Sequence, residues 1–203
     1  MFCKLRKIVE PEVASWLGAM APVSAIASIG VSLAFSPWFS WRRNALSDLG
    51  ISEVAPIFNS GLVVTGILLS VFAIALARVE RKNSLGLTGS IGILSMGVSI
   101  VGVGVFTEAF LRVHILFAFS CFASLILSSI LLGIRFTLDQ ETRALGVVAL
   151  SSGALSIIVT TTYRPQGVAI LETVIAFPFI PWYVALVLRL YRKSGAETSE
   201  TKR

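Results

Sequence analysis

Long apolar runs divided by short polar ones make up most of the chain. Six runs, at residues 16–35, 56–77, 85–106, 113–134, 144–161 and 168–190, each hold about twenty residues, the length a helix needs to cross ~30 Å of hydrocarbon. None alternates as a strand would, and in lipid such a run satisfies its backbone hydrogen bonds only as a helix. The pattern predicts an all-α integral membrane bundle: six helices in one domain over 16–191, short loops, and tails at 1–15 and 192–203. The separators RVERKN, TEAFLR, RFTLDQETR and TYRPQG leave no room for a second domain, and only GAETSETKR at the C-terminal end reads as disordered. The first run is longer than a secretory h-region, so an uncleaved span is expected.

Composition agrees with the pattern. Of 203 residues, 55% are hydrophobic and 14% charged, against about 25% charged in soluble domains; mean hydropathy is +0.85. The net charge of +6 does not point to nucleic acid, because the basic residues stand between apolar runs and not on a soluble face. Membrane lipids are the expected surroundings. Thirteen Lys and Arg fall on the side holding both tails, including Lys4, Arg81, Arg135 and Arg189, and only Arg42, Arg43, Arg112 and Arg164 on the other. The positive-inside rule then puts both termini in the cytoplasm of a multi-pass cell-membrane protein. Cys3 and Cys121 imply no disulfide framework; Cys3 is either a juxtamembrane acylation site or a plain thiol.

Small residues recur at helical spacing: Ser24, Ser28 and Ser32 in the first run, Ser120, Ser124 and Ser128 in the fourth, Ser152, Ser156 and Thr160 in the fifth. The third run carries Gly86, Gly89, Gly92, Gly97, Gly102 and Gly104. Such residues let helix backbones approach closely where lipid supplies no hydrophobic drive. A hydroxyl-lined permeation path is the alternative, and the absence of charge at midplane weighs against it.

The longest polar interruption is SPWFSWRRNALSDLGISEV, between the first two runs. Trp38 and Trp41 suit a membrane interface, so the segment is expected along the surface. Asn44 is placed to cap a short turn that Gly50 closes in a left-handed conformation. Ser52 and Glu53 then precede Pro56 at the start of the second helix. Ser47 and Asp48 would project from the turn, above Asn59; alternatively these side chains only satisfy the turn backbone. The sixth run is broken by AFPFIPWY, where Pro178 and Pro181 remove hydrogen bonds to the carbonyls of Val174 and Phe177, and freed carbonyls are possible cation ligands.

Candidate chemistry gathers on the side poor in lysine. Asp48, Glu108, His114, the sole histidine, and Glu172, about one turn inside the sixth run, form the candidate catalytic set. An intramembrane carboxylate defaults to a functional role with a partner, and Arg164 is the nearest by sequence. Arg42, Arg43, Arg112 and Arg164, with Asn44, Ser47 and Asn59, form the candidate ligand set, guanidinium being suited to bidentate phosphate contacts. Glu108 and Arg112 are spaced to pair with each other. A lone histidine with carboxylates falls short of a zinc set, and no GxSxG, HExxH or phosphate-cradling glycine loop is present. The sequence therefore names no cofactor and no metal.

The runs NALSDLG and IFNSG, VGVFTEAFLRVH at the start of the fourth helix, and GVAILE with a downstream Pro and Trp182 resemble the domain-of-unknown-function 998 family over about residues 16–189. These are small polytopic proteins found largely in archaea and bacteria. The resemblance makes Asn44, Ser47, Asp48, Gly50, Asn59, Gly61, Glu108, His114 and Glu172 the family-motif positions. Thr107 stands where members typically carry proline. The family brings no activity with it. Three functions remain: a pocket on the extracytoplasmic face for a lipid headgroup or small anion, with catalysis there possible; a small proton-coupled transporter using Glu172 and His114; or a structural or assembly subunit without a ligand.

Overall fold

A computed structural model describes residues 10–163 and 166–201, with side chains through residue 194. The helices are α1 (Pro11–Ala34), α2 (Ala55–Val79), α3 (Ser84–Val105), α4 (Leu111–Thr137), α5 (Arg143–Thr162), α6 (Ala169–Ala176) and α7 (Phe179–Thr201). Short 3-10 turns cover Leu46–Ile51 and Glu108–Phe110. Six stretches are long and apolar enough to cross a membrane, α6 and the start of α7 counting as one broken span. The chain is a multi-pass helical membrane bundle.

Local signals set the helix ends. Pro11 and Pro56 occupy the first turns of α1 and α2, where a missing N–H costs nothing. The Asn83 side chain caps α3 by accepting from the Gly86 amide at 2.9 Å. Two ends differ from expectation. α1 starts at Pro11, so part of the predicted tail is helical, and α7 runs through GAETSET to Thr201; the Ala and Glu there are compatible with extending an already nucleated helix.

The helices pack in chain order, α1 on α2, α2 on α3, α3 on α4, α4 on α5, and α1 closes the ring against α7. Small residues set the approach, as their spacing predicts. A Cβ on Gly66 of α2 would collide with the Gly97 carbonyl of α3, and one on Gly61 with Ser28 of α1. The serine and threonine hydroxyls mostly serve helix carbonyls: Ser28 to Ala25, Ser128 to Leu125, Ser156 to Ser152 and Thr160 to Ser156, while Ser124 bonds Ser95 across α3 and α4 at 2.9 Å.

The core runs through the bundle from α1 to α7, with its largest side chains on α7. Trp182, Tyr183, Leu186 and Leu190 are buried. The Tyr183 ring meets Phe72 edge to face at 5.2 Å, and its hydroxyl donates to the Gly18 carbonyl at 3.1 Å. Ile26, Ile67, Val98, Leu116, Phe119 and Leu188 form the exposed apolar exterior, as expected of a bundle in lipid.

The break between α6 and α7 falls at Phe177–Pro178. Pro178 cannot donate, as the sequence predicts, but the Phe177 carbonyl is not freed: it accepts from the Ile180 amide at 3.2 Å. Pro181 sits in the first turn of α7, where no donor is needed.

Candidate functional site

The 36–54 segment is folded onto the end of the bundle and does not merely skim a surface. Leu49, Val54 and Phe58 are buried together, packed by Ile29, Leu33, Phe39, Leu46 and Leu62. Trp38 and Trp41 flank Phe39 edge to face and remain exposed.

Within the segment, polar side chains hold the turn. Asn44 accepts from the Ser40 amide at 2.9 Å and donates to Asp48. The same Asp48 oxygen accepts the Ala45 amide at 3.1 Å. Ala45, not Asn44, is the N-cap position, and Asn44 bridges Ser40 behind it and Asp48 ahead of it. Gly50 is not left-handed, since no described glycine has positive φ. It is needed for space: Asn59 lies against it, donating to the Gly50 carbonyl at 2.9 Å, and a Cβ would meet the Asn59 amide oxygen. Asn59 therefore serves the turn backbone and does not reach Asp48. Ser52 donates to the Leu49 carbonyl at 2.9 Å.

Longer links join this turn to the other helices. Ser47 donates to Glu108 at 2.6 Å. The Leu46 amide donates to Glu172 at 2.8 Å. The Arg42 and Asn44 carbonyls accept from the Gly167 and Ala169 amides at 2.8 and 2.9 Å, and the second of these satisfies a donor that the start of α6 would leave open. A Cβ on Gly167 would strike the Arg43 backbone, so only glycine permits this approach.

Thr107 has φ −64°, the value a proline would impose, so the turn keeps a proline-like shape without the residue. It sets the Phe106 carbonyl to meet His114 Nδ1 at 2.8 Å. Because a carbonyl only accepts, Nδ1 carries the hydrogen and Nε2 of the neutral ring is an acceptor.

Below this roof is a cavity of about 230 Å³. Its walls come from α1 (Ala21, Ala25), α2 (Leu62, Leu69), α3, α4 (Ala118, Phe122) and the α6–α7 span, and are mostly apolar. On α4 it runs from His114 to Leu125, about 16 Å at 1.5 Å per residue. Its roofed end presents Ser47, His114 and Glu172; Thr65, Cys121 and Tyr183 lie along it. α1 closes on α7, whereas α6 packs on α5 and α4.

Of the candidate residues, then, Ser47, His114 and Glu172 share the cavity. Asp48, Glu108, Asn44 and Asn59 lie in the roof that holds them. Arg42, Arg43 and Arg112 are exposed and do not line it. Glu108 is engaged by Ser47, and among the described residues the ion pairs are those of Glu80 with Arg135 and Arg189, so Glu108 and Arg112 do not pair. Arg164, like Cys3, lies outside the described residues; among those described, the Leu46 amide is the hydrogen-bond partner of Glu172. No three His, Cys, Asp or Glu come together among the described residues as a metal-holding group. Sequence reasoning passed over Gly167, Thr65, Tyr183, Cys121 and the Leu46 and Phe106 backbone. Gly167 alone carried a signal, as a glycine directly ahead of a helix.

No curated protein and no solved structure matches the chain. The family model described as "Protein of unknown function (DUF998)" matches residues 19–189, and the chain belongs to that family.

Proposed function

We propose that this protein binds a membrane amphiphile, with the tail in the apolar cavity and the headgroup under the roof on the extracytoplasmic face. The observation that carries the reading is the cavity itself: a mostly apolar space of about 230 Å³ that ends at Ser47, His114 and Glu172. An apolar pocket with a few convergent polar groups at one end is the usual form of a ligand site. The excess of Lys and Arg on the other side of the bundle supports the outward placing.

A free small anion is the less supported ligand. Arg42, Arg43 and Arg112 are the described cations nearest in sequence to this end, and none lines the cavity. His114 and Glu172 are groups able to move protons, but binding alone is proposed here.

Native mass spectrometry of gently purified protein tests the reading. Wild type is expected to carry a co-purified lipid. Ala118→Phe, which fills the cavity, is expected to release it, while Ile158→Phe on the exposed exterior retains it. Bare wild-type protein, or an unchanged lipid complement in Ala118→Phe, overturns the proposal.

A further inference from the structure

The polar groups around the cavity have a common property that follows from where their hydrogens go. Thr65 donates to the Gly61 carbonyl at 2.8 Å, Tyr183 to the Gly18 carbonyl at 3.1 Å, and Ser47 to the Glu108 carboxylate at 2.6 Å. In its neutral form His114 spends its Nδ1 hydrogen on the Phe106 carbonyl at 2.8 Å. Carbonyls and carboxylates only accept, so each of these four side chains has committed its one hydrogen to the protein. What remains is lone pairs. His114 is 6% exposed, it lines the cavity, and its Nε2 has no protein partner among the described residues. Glu172 has one oxygen held by the Leu46 amide, and the other has no hydrogen-bond partner among the described residues. With Glu172 ionised and His114 neutral, the Cys121 thiol is the only side-chain donor left among the described lining residues, and a thiol donates weakly.

Resting on the cavity reading above, we propose that this end selects an amphiphile whose head donates hydrogen bonds, a hydroxyl or an ammonium, and rejects phosphate and carboxylate heads. A donor head gains two acceptors, His114 Nε2 and the free Glu172 oxygen. An anionic head meets lone pairs and a carboxylate, loses its hydration and gains no partner among the described lining residues; a buried charge without a partner is strongly disfavoured. An alcohol and an amine share the donor chemistry and differ in charge, so the carboxylate of Glu172 favours the amine whereas His114 serves either.

Four probes of equal chain length separate head from tail: decanol, decylamine, decanoate and decyl phosphate, each titrated against the purified full-length protein by thermal shift. Decanol or decylamine is expected to stabilise at about ten- to hundredfold lower concentration than the two anions, the range of one to two good hydrogen bonds. Preference for the amine over the alcohol, or the reverse, tells which donor is read, and either order supports the proposal. Glu172→Gln keeps an acceptor for the Leu46 amide and turns an NH2 group toward the ligand, so it is expected to narrow or reverse the preference. If that variant does not fold, His114→Phe removes the other acceptor and is expected to weaken the donor heads alone.

Equal binding of all four probes, abolished by Ala118→Phe, sinks the head selectivity and leaves the cavity reading standing. Tighter binding of decanoate or decyl phosphate overturns the selectivity outright. Binding of none overturns both.

Discussion

Leu46 and Glu172, 126 positions apart, are joined by a 2.8 Å hydrogen bond from the Leu46 amide to the Glu172 carboxylate. The bond ties the turn over the cavity to the first turn of α6 and fixes which Glu172 oxygen is left for a ligand. It gives a prediction that no ligand is needed to test. Hydrogen bonds to charged groups contribute about 1.5–3 kcal/mol, so Glu172→Ala is expected to speed Leu46 amide exchange about tenfold or more. Glu172→Gln, which retains an oxygen acceptor, is expected to leave exchange within a few-fold of wild type. Unchanged Leu46 exchange in Glu172→Ala would show that the turn holds itself without α6.

The α2–α3 contact depends on two glycines. A Cβ at Gly66 would meet the Gly97 carbonyl and the Val101 amide, which are backbone and cannot rotate away, whereas one at Gly30 meets nothing within 4 Å. Gly66→Ala is therefore expected to destabilise the bundle by about 1–3 kcal/mol through overpacking. Gly30→Ala is expected to be neutral or to stabilise by up to about 1 kcal/mol through reduced chain entropy. Detergent unfolding midpoints distinguish the two, and equal effects would remove the close-approach argument.

The spans were legible in the sequence because lipid permits so few solutions: a twenty-residue apolar run must be helical, and most of its glycines, though not Gly30, face a neighbour. The roof was legible only in membership. Asn44, Ser47, Asp48, Glu108, His114 and Glu172 do gather at one end, but apart from the local Asn44–Asp48 pair their partners are 61 positions away for Ser47 and 126 for Glu172, or are backbone groups. The Leu46 amide and the Phe106 carbonyl carry no residue-type signal at all. Gly50 was misread for a related reason, since a glycine demanded by a neighbouring side chain looks the same in sequence as one demanded by φ. The broken sixth span shows the reverse case, where Pro178 fixed the break but the local Ile180 amide reclaimed the Phe177 carbonyl.

Thr107 offers a stabilising change. Its φ is −64° and no side-chain cap bond depends on it; its amide has no backbone acceptor among the described residues. Phe106 before it, at φ −98° and ψ 85°, lies outside the helical region that a following proline disfavours. Thr107→Pro is expected to stabilise the protein by about 0.4–1 kcal/mol, by restricting the unfolded chain, and to leave probe binding at His114 unchanged. A lower unfolding midpoint would mean that the turn needs the Thr107 amide.

At the opposite end of the bundle, Glu80 is 4% exposed and lies between two guanidinium groups, 3.2 Å from Arg135 and 3.4 Å from Arg189, whose side chains are 21% and 23% exposed. Arg189 also stacks over Phe136 at 4.7 Å, and Gly86 leaves room for the carboxylate. The clasp links the end of α2 to α4 and α7, and its three members do not bear loss equally. Without Glu80 the two arginines still reach water and can turn outward on their long stems. Without both arginines the carboxylate is left buried and unpaired, which costs about 3–5 kcal/mol for a broken buried pair. The double variant Arg135→Ala/Arg189→Ala is therefore expected to be less stable than Glu80→Ala, and adding Glu80→Ala to it is expected to restore part of the loss. Denaturant titration of the four proteins measures this directly; a triple variant no more stable than the double would show that the arginines act through packing on Phe136 and not through the charge they hold.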